Sequence, residues 1–155
     1  MIHSDWHIHS ENSYDASCPI TTIGDNAFAY CRALQTVHMS DSVATIGEGA
    51  FLNCEALTSL TIGNGLTTIG ESAFKYCEAL TSLALPDSVT DISCYAFFEC
   101  YSLTDVYFTG TEEQWFAAMS SLEYYKDSLF NFYSEDEPTT SGNYWHYVDG
   151  VPTKW

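Results

Sequence analysis

Apolar residues return along the middle of this chain in eight columns spaced 23 residues apart. Stacked, four copies read ITTIGDNAFAYCRALQTVHMSDS (20–42), VATIGEGAFLNCEALTSLTIGNG (43–65), LTTIGESAFKYCEALTSLALPDS (66–88) and VTDISCYAFFECYSLTDVYFTGT (89–111), with no insertion or deletion. The columns are Ile23, Ile46, Ile69, Ile92; Ala27, Ala50, Ala73, Ala96; Phe28, Phe51, Phe74, Phe97; and Cys31, Cys54, Cys77, Cys100. They continue with Leu34, Leu57, Leu80, Leu103; Val37, Leu60, Leu83, Val106; Met39, Ile62, Leu85, Phe108; and Ile20, Val43, Leu66, Val89. In Leu57-x-x-Leu60-x-Ile62 the last apolar pair alternates, which is strand periodicity. From Gly70 through Ala73, Phe74 and Cys77 the spacing is three and four, which predicts a short helical turn. Asp41-Ser42, Gly63-Asn64-Gly65 and Pro86-Asp87-Ser88 carry turn chemistry and reverse the chain.

One such unit cannot bury its apolar face alone, so the copies must stack. Translation by one repeat preserves chain direction, and strands from successive coils therefore pair in parallel. The expected fold is α/β: a right-handed solenoid with a short parallel sheet and an aromatic-rich C-terminal helix-plus-hairpin cap. Cys31, Cys54, Cys77 and Cys100 then form a ladder of small buried residues, unbridged because their side chains project side by side into the core. Cys18 and Cys94 stand outside the ladder.

The flanks lack the period. Residues 1–19 read as an N-terminal capping strand or an unrelated fused segment, 20–111 as the four repeats, and 112–155 as a C-terminal cap. Thr111 and Gln114 have capping-box spacing for a helix through Trp115, Phe116 and Met119. Phe130–Tyr133 and Tyr144–Val148 read as strands. The open end of a stack exposes apolar surface and an unpaired sheet edge, so caps are expected there. The many aromatic rings of the tail serve that purpose or, in a second reading, make a sugar-stacking platform.

Charge narrows the partners. Twenty-one Asp plus Glu against four Lys plus Arg give 155 residues a formal net charge of -17. Nucleic acid and anionic membranes need a cationic footprint, which this chain lacks. No apolar run has membrane-spanning length. The opening MIHSDWHIHS has neither the basic nor the apolar region of a secretory signal, which keeps a cytoplasmic location open.

The motif I-G-x-x-A-F-x-x-C-x-x-L-x-x-[VL], closed by a turn of the P-D-S-V type, resembles the BspA-like leucine-rich repeats of bacterial surface proteins. Gly24, Gly47 and Gly70 fit that pattern and Ser93 departs from it. The segment G-T-E-E-Q-W and the tail GNYWHYVDGVPTKW are similar to the closing segment of such chains. The resemblance implies a leucine-rich-repeat solenoid, display outside the cell or at its surface, and a role in adhesion or protein recognition without catalysis.

A second resemblance lies at the start. D-W-H-I-H-S-E-N-S-Y-D-A-S-C-P (5–19) is similar to the first motif of the PHP family of metal-dependent phosphoesterases, which implies that His7 and His9 are metal ligands. On a strand His3, Asp5, His7 and His9 share one face, and Ile2, Trp6 and Ile8 the other. The further His and carboxylate ligands of that family are missing, since only His38 and His146 remain.

The expected function is therefore a non-catalytic protein- or glycan-binding module. Its binding surface is the outward strand face of Thr36, His38, Ser59, Thr61, Ser82, Ala84, Asp105 and Tyr107. The alternative is a metal-dependent phosphoesterase built on His7 and His9. No cofactor is expected beyond a divalent metal at those two residues, and no nucleic acid partner or membrane insertion.

Overall fold

Each 23-residue copy forms one coil with three sides, and successive coils stack. The computed structural model describes residues 5–8, 19–119, 130–133, 144–148 and 151–154, with side chains for 19–119 and 152–154. One side of the stack is a continuous parallel sheet of two-residue strands: β2 (Thr22–Ile23), β4 (Thr45–Ile46), β6 (Thr68–Ile69) and β8 (Asp91–Ile92). Its register pairs Ile23 with Ile46, Ile69 with Ile46, and Ile69 with Ile92, so the isoleucine column points into the core at every level. A second side carries the longer strands β3 (Thr36–Met39), β5 (Ser59–Thr61), β7 (Ser82–Leu85) and β9 (Asp105–Phe108). Among them β3 pairs with β5 and β7 with β9, all in parallel.

The third side corrects the helical turn expected from the three-and-four spacing. Ala73, Lys75 and Cys77 donate their N–H groups to the carbonyls of Gly70, Ser72 and Phe74 at 3.3, 3.1 and 3.1 Å. The alternate groups, Ser72, Phe74 and Tyr76, donate to Cys94, Ala96 and Phe98 of the next coil at 3.0, 2.7 and 2.9 Å. A helix would direct every N–H along its own axis and leave the neighbouring coil without partners. Left-handed residues re-aim alternate peptides instead: Asn26, Ser72 and Tyr95 at one position, and Tyr30, Asn53, Tyr76 and Glu99 four residues on, have φ between 54° and 62°. Only in the second coil does glycine, Gly49, take the first of these positions, with φ of 58°.

Close approach fixes another glycine column. A Cβ on Gly70 would stand 2.7 Å from the Gly47 carbonyl carbon, and one on Gly47 2.8 Å from the Asp25 nitrogen. The core between the sides is layered. Phe28, Phe51, Phe74 and Phe97 stack with centroids 5.1, 5.2 and 5.4 Å apart and ring planes within 5°. Cys54, Cys77 and Cys100 are buried beside them, and no described cysteine is bridged. Their thiols donate to the carbonyls of Phe28, Phe51 and Phe74 at 3.2, 3.3 and 3.1 Å, so each weak S–H donor is satisfied by the preceding coil. The first coil departs from the expected pattern. Ala27 and Cys31 are exposed, Ile20 is largely so and Phe28 is half-buried. Among the described residues no coil packs against their outer side.

At that end β1 (Asp5–Ile8) pairs in parallel with β3, matching Asp5 to Thr36 and Ile8 to Met39. At the other end Thr111 caps α1 (Glu112–Ala118) through the expected box: Gln114 N–H donates to Thr111 Oγ1 at 3.3 Å, and Thr111 N–H to Gln114 Oε1 at 2.8 Å. Trp115 is buried against Phe108, centroids 5.2 Å apart. The strand β10 (Phe130–Tyr133) then lies parallel between β9 and β11 (Tyr144–Val148). The hairpin of the cap is formed by β11 with β12 (Val151–Lys154), so Phe130–Tyr133 extends the sheet rather than folding back on Tyr144–Val148.

Because the phenylalanine stack is shared between coils, Phe74→Ala should cost about 3–5 kcal/mol, as for a buried aromatic. Urea unfolding monitored by circular dichroism should show one earlier transition for the whole stack. Two transitions, one unshifted, would show that the coils do not share a core.

Candidate functional site

The outward face of the longer strands is built by alternation. In β3 and β9 the inward residues, Val37 with Met39 and Val106 with Phe108, are buried, and the residues between them face out. The register sets Thr36 beside Ser59 and His38 beside Thr61. It likewise sets Ser82 beside Asp105 and Ala84 beside Tyr107. The eight expected face residues thus form two quartets. They do not form one ladder, because the sheet is interrupted between β5 and β7. Thr58 N–H and Thr104 N–H each donate to the preceding coil, at Gln35 and Thr81, both at 2.9 Å. No such bond joins Thr81 to Thr58. Pro86 supplies part of the reason: its counterpart Thr109 donates its N–H to the Leu85 carbonyl at 3.1 Å, whereas proline has no N–H to give. At the interruption Leu60 and Ile62 are only half-buried, unlike their fully buried counterparts Leu83 and Leu85.

The second quartet holds the one charge on the face. Asp105 forms an ion pair with Lys154 of β12 and accepts a hydrogen bond from Thr104 Oγ1 at 3.1 Å. Burial raises the Tyr107 phenol above its ordinary value; the nearby Asp105 carboxylate adds to the shift and Lys154 opposes it. The first quartet holds His38, half-buried and matched in register to His7 of β1. His9, the other expected metal ligand, lies outside the described residues. Among residues with described side chains, no three His, Cys, Asp or Glu gather as a metal site.

The buried thiols are poor nucleophiles. Burial pushes Cys54 and Cys100 up to about 12, with Cys31 adding to the shift at Cys54. Cys77 is pushed up likewise, by burial and then by Cys100 and Cys54. Sequence reasoning missed one surface group. On the third side Lys75 Nζ lies 5.2, 5.8 and 5.1 Å from the ring centres of Tyr76, Tyr95 and Phe98, a cation–π cluster. The signal was in the columns, since Lys75 and Phe98 occupy the same repeat position.

The profile described as "BspA type Leucine rich repeat region" matches residues 12–134 in six copies, a wider span than the four copies at 20–111. The chain is similar to a leucine-rich repeat protein from Bacteroides capillosus, at 29% identity and a TM-score of 0.61 over 69% of this chain and 78% of that one. A leucine rich cell surface protein from Faecalibacterium prausnitzii is similar at 30% identity and a TM-score of 0.53, over 74% of this chain and 34% of that one. The leucine-rich repeat protein of T. pallidum follows at 25% identity and 0.51, over 67% and 58%. This chain thus spans about a third of the Faecalibacterium protein and under two thirds of the T. pallidum one. No curated protein matches the sequence.

The raised thiols predict alkaline instability. In the unfolded chain they ionise near the ordinary value of 9.0, while in the folded chain Cys54 and Cys100 hold their protons to about 12. Their contribution is complete below pH 9 and falls as pH rises towards 12. The slope is about 1.4 kcal/mol per pH unit for each thiol. Urea midpoints measured from pH 8 upward should fall beyond pH 9, and less steeply in Cys77→Ala. Equal slopes in the two proteins would contradict the assignment.

Proposed function

The chain belongs to the BspA-type leucine-rich repeat family, and from that premise we propose that it is a non-catalytic recognition module which binds a protein or glycan through its outward strand face. The observation that carries this reading is the composition of that face. Seven of its eight residues are uncharged or carry only a half-buried histidine, and the eighth, Asp105, is paired with Lys154. In a chain of net charge -17, a nearly neutral surface is where a partner is met with least repulsion and least desolvation of charge. At the interruption between β5 and β7, Leu60 and Ile62 of the inward columns are half-buried and packed against the core.

Display at the cell surface accompanies this reading. It draws on the cell surface protein of Faecalibacterium prausnitzii, of which this chain matches a part. No described helix is long and apolar enough to cross a membrane. The phosphoesterase alternative rests on His7 and His9, whose side chains lie outside the described ones.

Ser59 and Ser82 are exposed and flank the interruption, so arginine at both places a large charged side chain on the contact surface without touching the core. The test is a glycan array and a panel of immobilised matrix proteins, probed with wild type and with the Ser59→Arg/Ser82→Arg protein. Binding by wild type should be lost in the double variant while stability moves by less than about 1 kcal/mol. Undiminished binding by a folded double variant would place recognition elsewhere, with the cluster around Lys75 the next surface to change.

A further inference from the structure

Three aromatic rings and one ammonium group meet on the third side, where the third and fourth coils adjoin. Lys75 Nζ lies 5.2, 5.8 and 5.1 Å from the ring centres of Tyr76, Tyr95 and Phe98. Phe98 stands edge-on to both tyrosines, at 87° to Tyr95 with centroids 5.5 Å apart and at 76° to Tyr76 with centroids 6.5 Å apart. The backbone beneath them is fixed, since Tyr76 N–H donates to the Phe98 carbonyl at 2.9 Å and Phe98 N–H to the Tyr95 carbonyl at 3.0 Å.

Packing does not account for this group. Tyr76 and Tyr95 hold φ of 62° and 58°, a conformation that suits asparagine or glycine and is least favourable for a bulky residue. Other coils place Asn53 at the first position, and Asn26 or Gly49 at the second. Burial does not offset the strain, because Tyr95 and Phe98 remain 46% and 37% exposed. Strained residues cluster at ligand clamps, and exposed apolar patches at contact surfaces. The charge is equally unexplained by the fold. Among the described residues Arg32 pairs with Glu55 and Lys154 with Asp105, yet Lys75 has no carboxylate within ion-pair distance, in a chain with 21 Asp plus Glu. Its N–H donors meet only rings, which accept weakly, and solvent.

From this arrangement we propose that the cluster around Lys75 is a binding site for a carboxylated pyranose, a sugar acid whose carboxylate meets the ammonium group and whose ring face lies on the aromatic rings. A carboxylate on an ammonium group makes charge-assisted hydrogen bonds roughly twice as strong as neutral ones. The C–H groups of a pyranose face carry slight positive charge and suit the negative face of an aromatic ring. The two features together select this class: a neutral sugar leaves the charge unmet, and a simple carboxylate leaves the rings bare. The net charge of -17 opposes an anion at long range. That field is screened over about 8 Å at physiological salt, whereas contact with Lys75 is direct. The site is on a different side of the coil from the strand face and does not rest on that face's role in recognition.

The experiment is an NMR titration of isotope-labelled protein at physiological salt with methyl β-D-glucuronide. Methyl β-D-glucoside, which carries CH₂OH in place of the carboxylate, and acetate, which lacks the ring, are titrated alongside. The glucuronide should shift the amide signals of Lys75, Tyr76 and Phe98 saturably. It should bind about tenfold more tightly than the glucoside, as for the gain of one hydrogen bond to a charged group. Lys75→Gln should bring the glucuronide down to the affinity of the glucoside. Tyr95→Asn and Phe98→Ala install the residues that the first coil carries at those positions, Asn26 and Ala29, so the fold is kept. Each should weaken both sugars. Tyr30→Ala, which removes an exposed tyrosine two coils away, should bind as wild type does. The proposal fails if the glucuronide gives no saturable shift, if the glucoside or acetate binds as tightly, or if Phe98→Ala binds normally. Shifts of the same signals with protein concentration alone would mean that a second copy covers the rings, and would overturn it. Saturable shifts at Ser59 and Ser82 in place of the cluster would assign the sugar to the strand face, and would overturn it equally.

Discussion

Everything in this solenoid depends on one requirement: the backbone groups that a coil turns towards its neighbour can be satisfied only by that neighbour. Gly47 N–H reaches the Ile23 carbonyl at 2.8 Å and Gly70 N–H reaches Ile46 at 2.8 Å on the first side. Phe28, Phe51 and Phe74 reach Ala50, Ala73 and Ala96 at 2.7 Å each on the third. A buried amide without a partner costs on the order of 1–3 kcal/mol, so a slip of one residue between coils is heavily penalised. That is why the 23-residue period tolerates no insertion over four copies. It also explains why side chains outside the core repeat. Thr67 Oγ1 donates to the Ala44 carbonyl of the coil before at 2.9 Å, and Ser88 Oγ ties the end of its coil to the Leu66 carbonyl at its start at 2.6 Å.

The same requirement explains the backbone of the third side. Seven non-glycine residues there hold a positive φ, a conformation that is sterically disfavoured for any residue with a Cβ. The cost is accepted because the twist it introduces converts a helix-like turn into a row of alternate donors. The thiol ladder belongs to this logic. A residue beside the phenylalanine stack must be small, and a cysteine there adds a weak hydrogen bond to a carbonyl already facing it. Where the requirement is not met, the sheet divides. Pro86 cannot donate, the ladder between β5 and β7 is absent, and the short strands on the first side hold those two coils together.

Much of this was legible in the columns. The stack, the parallel pairing, the buried isoleucines and the capping box of α1 all follow from spacing and residue type. What spacing misread was the third side, because a three-and-four pattern is shared by a helix and by a turn with left-handed residues at fixed places. Only the inter-coil hydrogen bonds separate the two. Which strands form the hairpin was not legible, because Tyr144–Val148 pairs with two strands, and local pattern does not say which pairing is antiparallel. On the candidate face the eight residues were readable as outward positions. Their division into two quartets was not, since it turns on a missing N–H in a turn outside the strands. The nearness of His7 to His38 was hidden for a related reason, as the link between them breaks the period.

Charge is distributed in a way that makes the strand face distinct from the rest of the surface. Asp25, Glu48, Glu71, Asp41, Asp87 and Asp91 are exposed on the turns and on the other two sides. There their carboxylates serve the stack as well as solvent: Asp25 Oδ1 accepts the Glu48 N–H at 2.9 Å, and Asp41 Oδ1 the Asn64 N–H at 2.7 Å. Stacking places like charges one above another, and Arg32 offsets one such column through its contact with Glu55 at 3.2 Å. The repeat can bear this repulsion because the high dielectric of water holds each exposed pair to about 1 kcal/mol even at a separation of a few Å. A charge on the strand face would instead be desolvated whenever a partner covered it. The acidic sides therefore discourage edge-on association between copies, while the neutral side is left as the surface on which close, unrepelled contact costs least.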